Sequence, residues 1–528
     1  MFLRLRAILY ATFCNVFLAS ADFKSTCLSF QPKEYFPNST LKIIEYVPAG
    51  TNLTFPGNSP SCARPSQVVL ADICRVALSI PTSNRSSVIF EIWLPENWTG
   101  RFLGTGNGGI DGCIKYEDMA YTTQYGFATT GSNNGHNGTS GLAFYQNLEV
   151  VTDFSWRSLH TTVVVGKQLL KSFYGKSHTK SYYLGCSGGG RQGIQAAEMF
   201  PEDYDGIVAG CPGINFNYLS SWRASFYPIT GPSNTSDFIE SETWTSLIHS
   251  EILRQCDSLD GVIDGIIEDP TLCNFHPESL ICSTSNSTDC LTPAQVQVVR
   301  KVYNPLYGNQ SQLVYPGLQP GAEVMAVQRL LAGKPFGYSE DWFRYVVFTN
   351  SSWDPLTFDI NDAFIAERMN PSNVRTWPSS LEPFRGCGGK LIAYHGGQDN
   401  QITGTNTERF YNYLSAGMSS PSGDLDTWFR FFRIPGMFHC NGGPGAWSFG
   451  QGATAATGIS FHPDVNILAA IVQWVENGTA PETVTGTKFI NDTVEMGEAY
   501  QHRHCRYPYR STYINGPPAD LSSWTCIK

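Results

Sequence analysis

Beyond its first two dozen residues the chain lacks any hydrophobic run approaching the eighteen or more apolar residues that a bilayer-spanning helix requires. That absence argues against a membrane-embedded helical protein. A basic cluster is missing too, since 35 Lys and Arg stand against 45 Asp and Glu, so no stretch is suited to follow a phosphate backbone and nucleic acid is not an expected partner. No C-x-x-C or H-x-x-x-H spacing occurs, which leaves zinc without a ligand pattern. Internal repeats, heptads and low-complexity segments are absent, which sets aside solenoids and coiled coils.

What is present begins with Arg4 and Arg6, an apolar run from Ala7 to Leu18, and the small residues Ala19-Ser20-Ala21. This reads as a secretory signal over residues 1–21, cleaved before Asp22, so the mature protein is expected outside the cell. Of the 15 cysteines, Cys14 lies in the signal and the even number left suits an oxidising compartment, where disulfides are the default. Eleven N-x-Ser/Thr sequons, at Asn38, Asn52, Asn84, Asn97, Asn137, Asn234, Asn286, Asn309, Asn350, Asn477 and Asn491, point the same way.

The mature length exceeds what one core usually serves, so a large domain with a substantial insertion or second domain is expected. Strands read over 87–95, 101–104, 125–130, 182–185 and 205–210, with a helix over 156–174 between them. From 215 to 386 strand signals thin out and Trp, Tyr, Phe, Asn and Pro dominate. The rhythm resumes with strands over 389–394 and 427–434 and helices over 405–414 and 465–475. Alternating strands and helices imply an α/β protein with a parallel sheet, built from residues 22–214 and 387–528 and interrupted by 215–386.

Gly185-Cys186-Ser187-Gly188-Gly189 lies between the strand ending at Leu184 and a helix over 192–200. In a sharp strand-to-helix turn the middle residue projects, which makes Ser187 a candidate nucleophile; the plainer alternative is a Gly-rich turn. Elbow-type hydrolases supply the acid and the base later in the chain, in that order. Asp399, in His395-Gly396-Gly397-Gln398-Asp399, and His439, in Met437-Phe438-His439-Cys440, both follow strand ends, where open α/β sheets place their chemistry. Taken singly, Asp399 could be a turn residue and His439 a core or surface residue. Cys186 precedes Ser187 and Cys440 follows His439. A bridge between them would hold their Cα atoms about 5.5 Å apart and bring serine to histidine, unless these cysteines pair elsewhere.

Within the insertion, Cys256-Asp257-Ser258-Leu259-Asp260-Gly261-Val262-Ile263-Asp264-Gly265-Ile266 places three carboxylates on a tight loop. Hard oxygen ligands of this kind suit calcium, although the loop lacks the EF-hand pattern and could be an acidic turn capped by a disulfide.

These stretches resemble the fungal tannase and feruloyl esterase family, its type B feruloyl esterases in particular, over almost the whole mature chain. The resemblance rests on Tyr182 to Ser187, Gly189-Gly190-Arg191-Gln192-Gly193, Gln255-Cys256-Asp257, Asp260-Gly261, Asp264 to Pro270, His439-Cys440 and His504-Cys505-Arg506-Tyr507-Pro508. It implies an α/β-hydrolase fold with a large lid over 215–386. It also implies a Ser187, His439 and Asp399 triad with the Cys186–Cys440 bridge. In such a fold the oxyanion is held by the N–H of Gly188 and by one from the Gly106 to Gly109 loop, at Gly108 or Gly109, unless that loop simply packs under a helix. A structural calcium ion is implied in the lid, on the side chains of Asp257, Asp260 and Asp264 and the carbonyls of Val262 and Ile266, with no organic cofactor. Family-like pairing joins Cys27 to Cys74, Cys62 to Cys113, Cys256 to Cys273, Cys282 to Cys290 and Cys505 to Cys526, leaving Cys211 and Cys387 to stay free. One departure is Gly188, where similar sequences often carry Thr. The implied activity is hydrolysis of phenolic acid esters of plant cell-wall material, releasing ferulic, p-coumaric or caffeic acid. Tannase action on gallate esters, a catalytically silent esterase-like binding protein and a peptidase remain as alternatives.

Overall fold

The structure is a computed structural model and describes residues 22–283 and 289–528. The signal over residues 1–21 and the sequon at Asn286 lie outside the described residues. Nine strands form the main sheet: β1 (Thr40–Val47), β2 (Ile73–Pro81), β3 (Ser87–Pro95), β4 (Arg101–Thr105), β5 (Phe127–Ser132), β6 (Lys180–Cys186), β7 (Gly206–Gly210), β8 (Lys390–Gly396) and β9 (Phe429–Ile434). Their spatial order is β1-β2-β3-β5-β4-β6-β7-β8-β9. β1, β2, β3 and β5 pair antiparallel, and from β5 to β9 all neighbours are parallel.

The parallel strands are buried at nearly every position because helices cover both faces. Tyr183, Ile207, Ala209, Leu391 and Ala393 face one core, shared with Leu169 and Leu170 of helix Ser158–Tyr174 and Phe410 of helix Gly404–Gly417. Tyr182, Leu184, Val208, Ile392 and Tyr394 face the other, with Leu468, Ile471 and Trp474 of helix Ile467–Asn477. The two-residue period of each strand thus separates two cores.

β1 and β2 were not expected from the sequence. In β2 the apolar run is broken by Arg75, which is buried and donates to Glu91 at 2.9 and 2.8 Å and to Glu45 at 3.0 Å; a buried ion pair reads locally as a surface residue. Two C-terminal hairpins, Thr483–Phe489 with Glu498–Cys505 and Arg510–Tyr513 with Trp524–Ile527, also escaped notice. Glu498–Cys505 carries Glu, Gln, Arg and two His in place of an apolar alternation. The expected strand over 125–130 lies two residues later, because Tyr125 and Gly126 complete the turn out of helix Tyr116–Thr123.

Between β7 and β8 no described residue joins the main sheet. This long insertion builds its own core around Trp222, Trp244, Ile248 and Val299. A further cluster joins its Trp342 and Phe343 to Phe144 and Phe154 of the first segment. The chain then re-enters the sheet at Lys390, which pairs with Gly206. All five outlying disulfides form as the family pairing implies, and Cys211 and Cys387 are unpaired.

Candidate active site

The C-terminal ends of β6, β7 and β8 lie side by side and carry the site. Ser187 occupies the step from β6 to helix Gly188–Met199 with φ 66° and ψ −121°, a left-handed conformation that costs a non-glycine residue free energy and persists only where its surroundings impose it. They do: Ser187 N–H donates to the Gly210 carbonyl at 2.9 Å, and the Ser187 carbonyl accepts from Gly213 N–H at 3.0 Å. A Cβ on Gly185 would lie 2.9 Å from the backbone of Gly189, so the elbow closes only with glycine there.

Ser187 Oγ donates to His439 Nε2 at 2.8 Å, and His439 Nδ1 donates to Asp399 Oδ2 at 2.7 Å. Asp399 is fully buried. Its Oδ1 accepts from the N–H groups of Gln401 and Ile402, both at 2.8 Å. Burial alone would raise this carboxyl, but the attraction of His439 and the hydrogen bonds from His395 and His439 outweigh it and hold Asp399 well below the ordinary carboxylate range. The structure therefore brings together all three residues singled out in the sequence.

Cys186 and Cys440 are bonded, with Cα atoms 6.1 Å apart across a separation of 254 residues. Cys211 was not foreseen at this place. Its Sγ lies within 4.8 Å of both bridged sulfurs and within the same distance of a ligand atom of Asp399 and of His439. Burial, then the Asp399 charge, pushes its thiol well above the ordinary range, so it is neutral. Among the described residues the groups with metal-like spacing consist of these same atoms. Two of the sulfurs are spent in a disulfide and the other donors belong to the serine–histidine–aspartate chain, so this is no metal centre.

The loop after β4 packs on the elbow: a Cβ on Gly188 would lie 2.7 Å from the Gly109 carbonyl oxygen and 3.2 Å from its nitrogen. Three of its N–H groups are engaged, Gly106 with the Leu184 carbonyl at 3.0 Å, Asn107 with Gln192 Oε1 at 2.9 Å and Gly108 with Asp111 Oδ1 at 3.2 Å. Gly109 N–H has no partner among the described residues. Of the two loop glycines expected as donors, Gly109 is the one whose N–H is free, while that of Gly108 is held by Asp111. Gln192 also donates to the Asn107 and Asn134 side chains at 3.1 and 2.9 Å, fixing the loop to the helix that follows Ser187. The sequence held a trace of this in Gly190-Arg191-Gln192, but a buried amide network leaves no periodic signal.

A cavity of about 290 Å³ opens over Ser187 and His439. The insertion contributes Arg329 and Tyr338 to its wall, and the first segment contributes Asp111, Lys115 and Asp118. Tyr338 lies against Gly109, whose Cβ would meet the ring at 2.4 Å.

The acidic loop lies elsewhere, against the C-terminal hairpins. Asp257 accepts from the N–H groups of Asp264 and Gly265, Asp260 from Val262 and Asp264 from Ile266. Each carboxylate is turned onto a local N–H, and the three do not gather within 4.8 Å of one another. The donor set nonetheless fits a divalent cation. The carbonyls of Val262 and Ile266 accept no hydrogen bond among the described residues. Burial and the charges of Glu268 and Asp264 push Asp260 up to about 6, and burial with Asp257 and Glu268 raises Asp264. An excess of partly buried hard oxygens, with His502 Nε2 against Glu268 at 3.2 Å, is an electrostatic setting that a hard divalent cation would relieve.

The sequence pattern of tannase and feruloyl esterase matches residues 74–527. A probable feruloyl esterase B-2 of Aspergillus flavus is 58% identical over 497 residues, covering 93% of this chain and 95% of that one. A probable feruloyl esterase B-2 of Aspergillus terreus is 50% identical, with 97% of each chain covered. Among solved structures, feruloyl esterase B from Aspergillus oryzae superposes with a TM-score of 0.92 at 45% identity, covering 96% of this chain and all of the other. Tannin acyl hydrolase from Aspergillus niger shares the fold at 21% identity, with a TM-score of 0.74 over 95% and 94% of the two chains. By the extent of these matches, the chain belongs to the tannase and feruloyl esterase family.

Proposed function

We propose that the protein is a serine carboxylic-ester hydrolase that releases hydroxycinnamic acids, such as ferulic, p-coumaric or caffeic acid, from plant cell-wall or related esters. The observation that carries this reading is the continuous chain Ser187–His439–Asp399, held in a protein about half or more identical to relatives named feruloyl esterase B. In the mechanism, His439 Nε2 removes the Ser187 proton as Oγ attacks the ester carbonyl. Asp399 fixes the imidazole tautomer and stabilises its charged form. The oxyanion is held by the N–H groups of Gly188 and Gly109. His439 then protonates the leaving alcohol, and a water, activated by the same imidazole, releases the acid and restores Ser187.

The insertion over 215–386 acts as the lid of this site, supported by Tyr338 and Arg329 in the cavity wall. A calcium ion held by Asp257, Asp260, Asp264 and the carbonyls of Val262 and Ile266 would supply charge neutralisation and stiffness to the lid, not a catalytic step. Secretion as a glycoprotein is supported by the exposure of all ten described sequon asparagines and by the six disulfides; no described helix is long and apolar enough to cross a membrane. A silent binding role is disfavoured because no triad member is lost. Tannase activity is the second reading, since the family pattern spans both activities. Comparing kcat/KM on methyl ferulate and methyl gallate decides: preference for ferulate is expected, and preference for gallate overturns the substrate assignment.

A further inference from the structure

Asp399 is approached by two histidines, and the mechanism above uses one. His395, at the end of β8, is buried at 1% exposure. Its Nε2 lies 3.1 Å from Asp399 Oδ2 and 2.9 Å from the Ile402 carbonyl oxygen, and its Nδ1 lies 2.8 Å from the hydroxyl of Thr407, itself fully buried. A carbonyl oxygen can only accept, so Nε2 must carry the hydrogen, shared between Ile402 and Asp399. Nδ1 is then the acceptor for the Thr407 hydroxyl. The tautomer is thus set by two partners that have no other way to be satisfied by this ring.

The four N–H groups on Asp399 are then divided evenly between its two oxygens, beside the Cys211 thiol. Oδ1 takes two backbone N–H groups and Oδ2 takes the two imidazoles. We propose that His395 is a positioning residue of the triad, which by donating to Asp399 Oδ2 opposite His439 fixes the rotation of the carboxylate and limits the charge it presents to His439. Without that donor one buried lone pair is unmet, the carboxylate has one restraint fewer on its last torsion, and its charge bears more fully on His439. The other ionisable groups facing Asp399 are Cys211 from the end of β7, and Arg223 and Tyr315 from the insertion. The neutral Cys211 thiol is already hydrogen-bonded to Asp399, and Arg223 Nε is engaged by the Gln401 carbonyl at 2.9 Å, so neither stands idle to replace the lost hydrogen bond.

The proposal rests on the serine-hydrolase reading, and the test keeps the two apart. His395→Phe removes the donor and keeps a ring, while His395→Gln offers an amide N–H in its place. Loss of a hydrogen bond to a charged group predicts a fall in kcat of about 10- to 100-fold for Phe, with KM nearly unchanged. The acid limb of the kcat/KM profile should move to higher pH, because the less-shared carboxylate favours the imidazolium form of His439. The Gln variant should recover most of kcat and return the limb towards its parental position. A Phe variant with parental kcat and acid limb overturns the proposal. So do equal losses in both variants with an unmoved limb, which mark a purely structural role. Should His395→Phe fail to fold, Thr407→Val, which removes only the hydroxyl that holds the tautomer, should shift kcat and limb in the same direction by a smaller factor, and parental values there overturn the proposal. Ser187→Ala runs alongside: retained hydrolysis sinks the serine-hydrolase reading and this inference with it, whereas an inactive Ser187→Ala with parental His395 variants sinks the inference alone.

Discussion

Cys186 and Cys440 are covalently joined, and each is the chain neighbour of a residue in the hydrogen bond from Ser187 to His439. The bond therefore sets the distance between Ser187 and His439 directly, across 254 residues of chain that include the whole insertion. Replacing both cysteines by Ala should lower kcat more than stability. Closing so long a loop contributes roughly 5 kcal/mol on the chain-entropy model, less any native strain, but a misplacement of about 1 Å at the triad costs about 10² in rate. The check is kcat alongside thermal melting: a double variant that melts early yet keeps parental kcat shows the bridge to be structural only.

The oxyanion assignment separates two neighbouring glycines. Gly109 has φ 47° and the Tyr338 ring where a Cβ would go, whereas a Cβ on Gly108 would meet Asp111 Oδ2 at 3.0 Å. Gly109→Ala should displace the free N–H and lower kcat by about 10² to 10³, the usual effect of losing one oxyanion donor, with Gly108→Ala less affected. The reverse order would return the role to Gly108.

A calcium ion on the acidic loop would link metal binding to pH. Burial, then the charges of Glu268 and Asp264, pushes Asp260 up to about 6. A raised carboxyl contributes stability that is fully present below about pH 4 and lost as pH rises through about 6. The share of Asp260 is read against Asp260→Asn: between pH 4 and pH 7 the chelated parent should lose more Tm than the chelated variant does. Calcium, which takes the ionised form, should raise Tm most above pH 6, while the initial rate at moderate temperature changes little. Equal melting with and without chelator at pH 7 would show the loop to be only a turn.

The parts legible in the sequence share a physical cause. Ser187, Asp399 and His439 sit on short loops after apolar strands, and a strand-turn-helix with obligatory glycines leaves a local mark. The Cys-Ser and His-Cys adjacencies carried three-dimensional information in one dimension. The residues that escaped act through burial. Arg75 hides a strand because its charge is met by Glu91 from β3, and no spacing marks His395 or Cys211 as facing Asp399. Which N–H of the Gly106 to Gly109 loop is free depends on Asp111 and Gln192, and no spacing rule reports that.

The central claim is that Ser187 is the nucleophile of an ester hydrolase, and the most direct measurement is hydrolysis of methyl ferulate by Ser187→Ala beside the parent. The account predicts a fall in kcat of about 10⁶ with melting essentially unchanged, because one partly exposed oxygen is removed. Retention of activity within about tenfold of the parent, set against that expected fall, in a folded Ser187→Ala protein would contradict it.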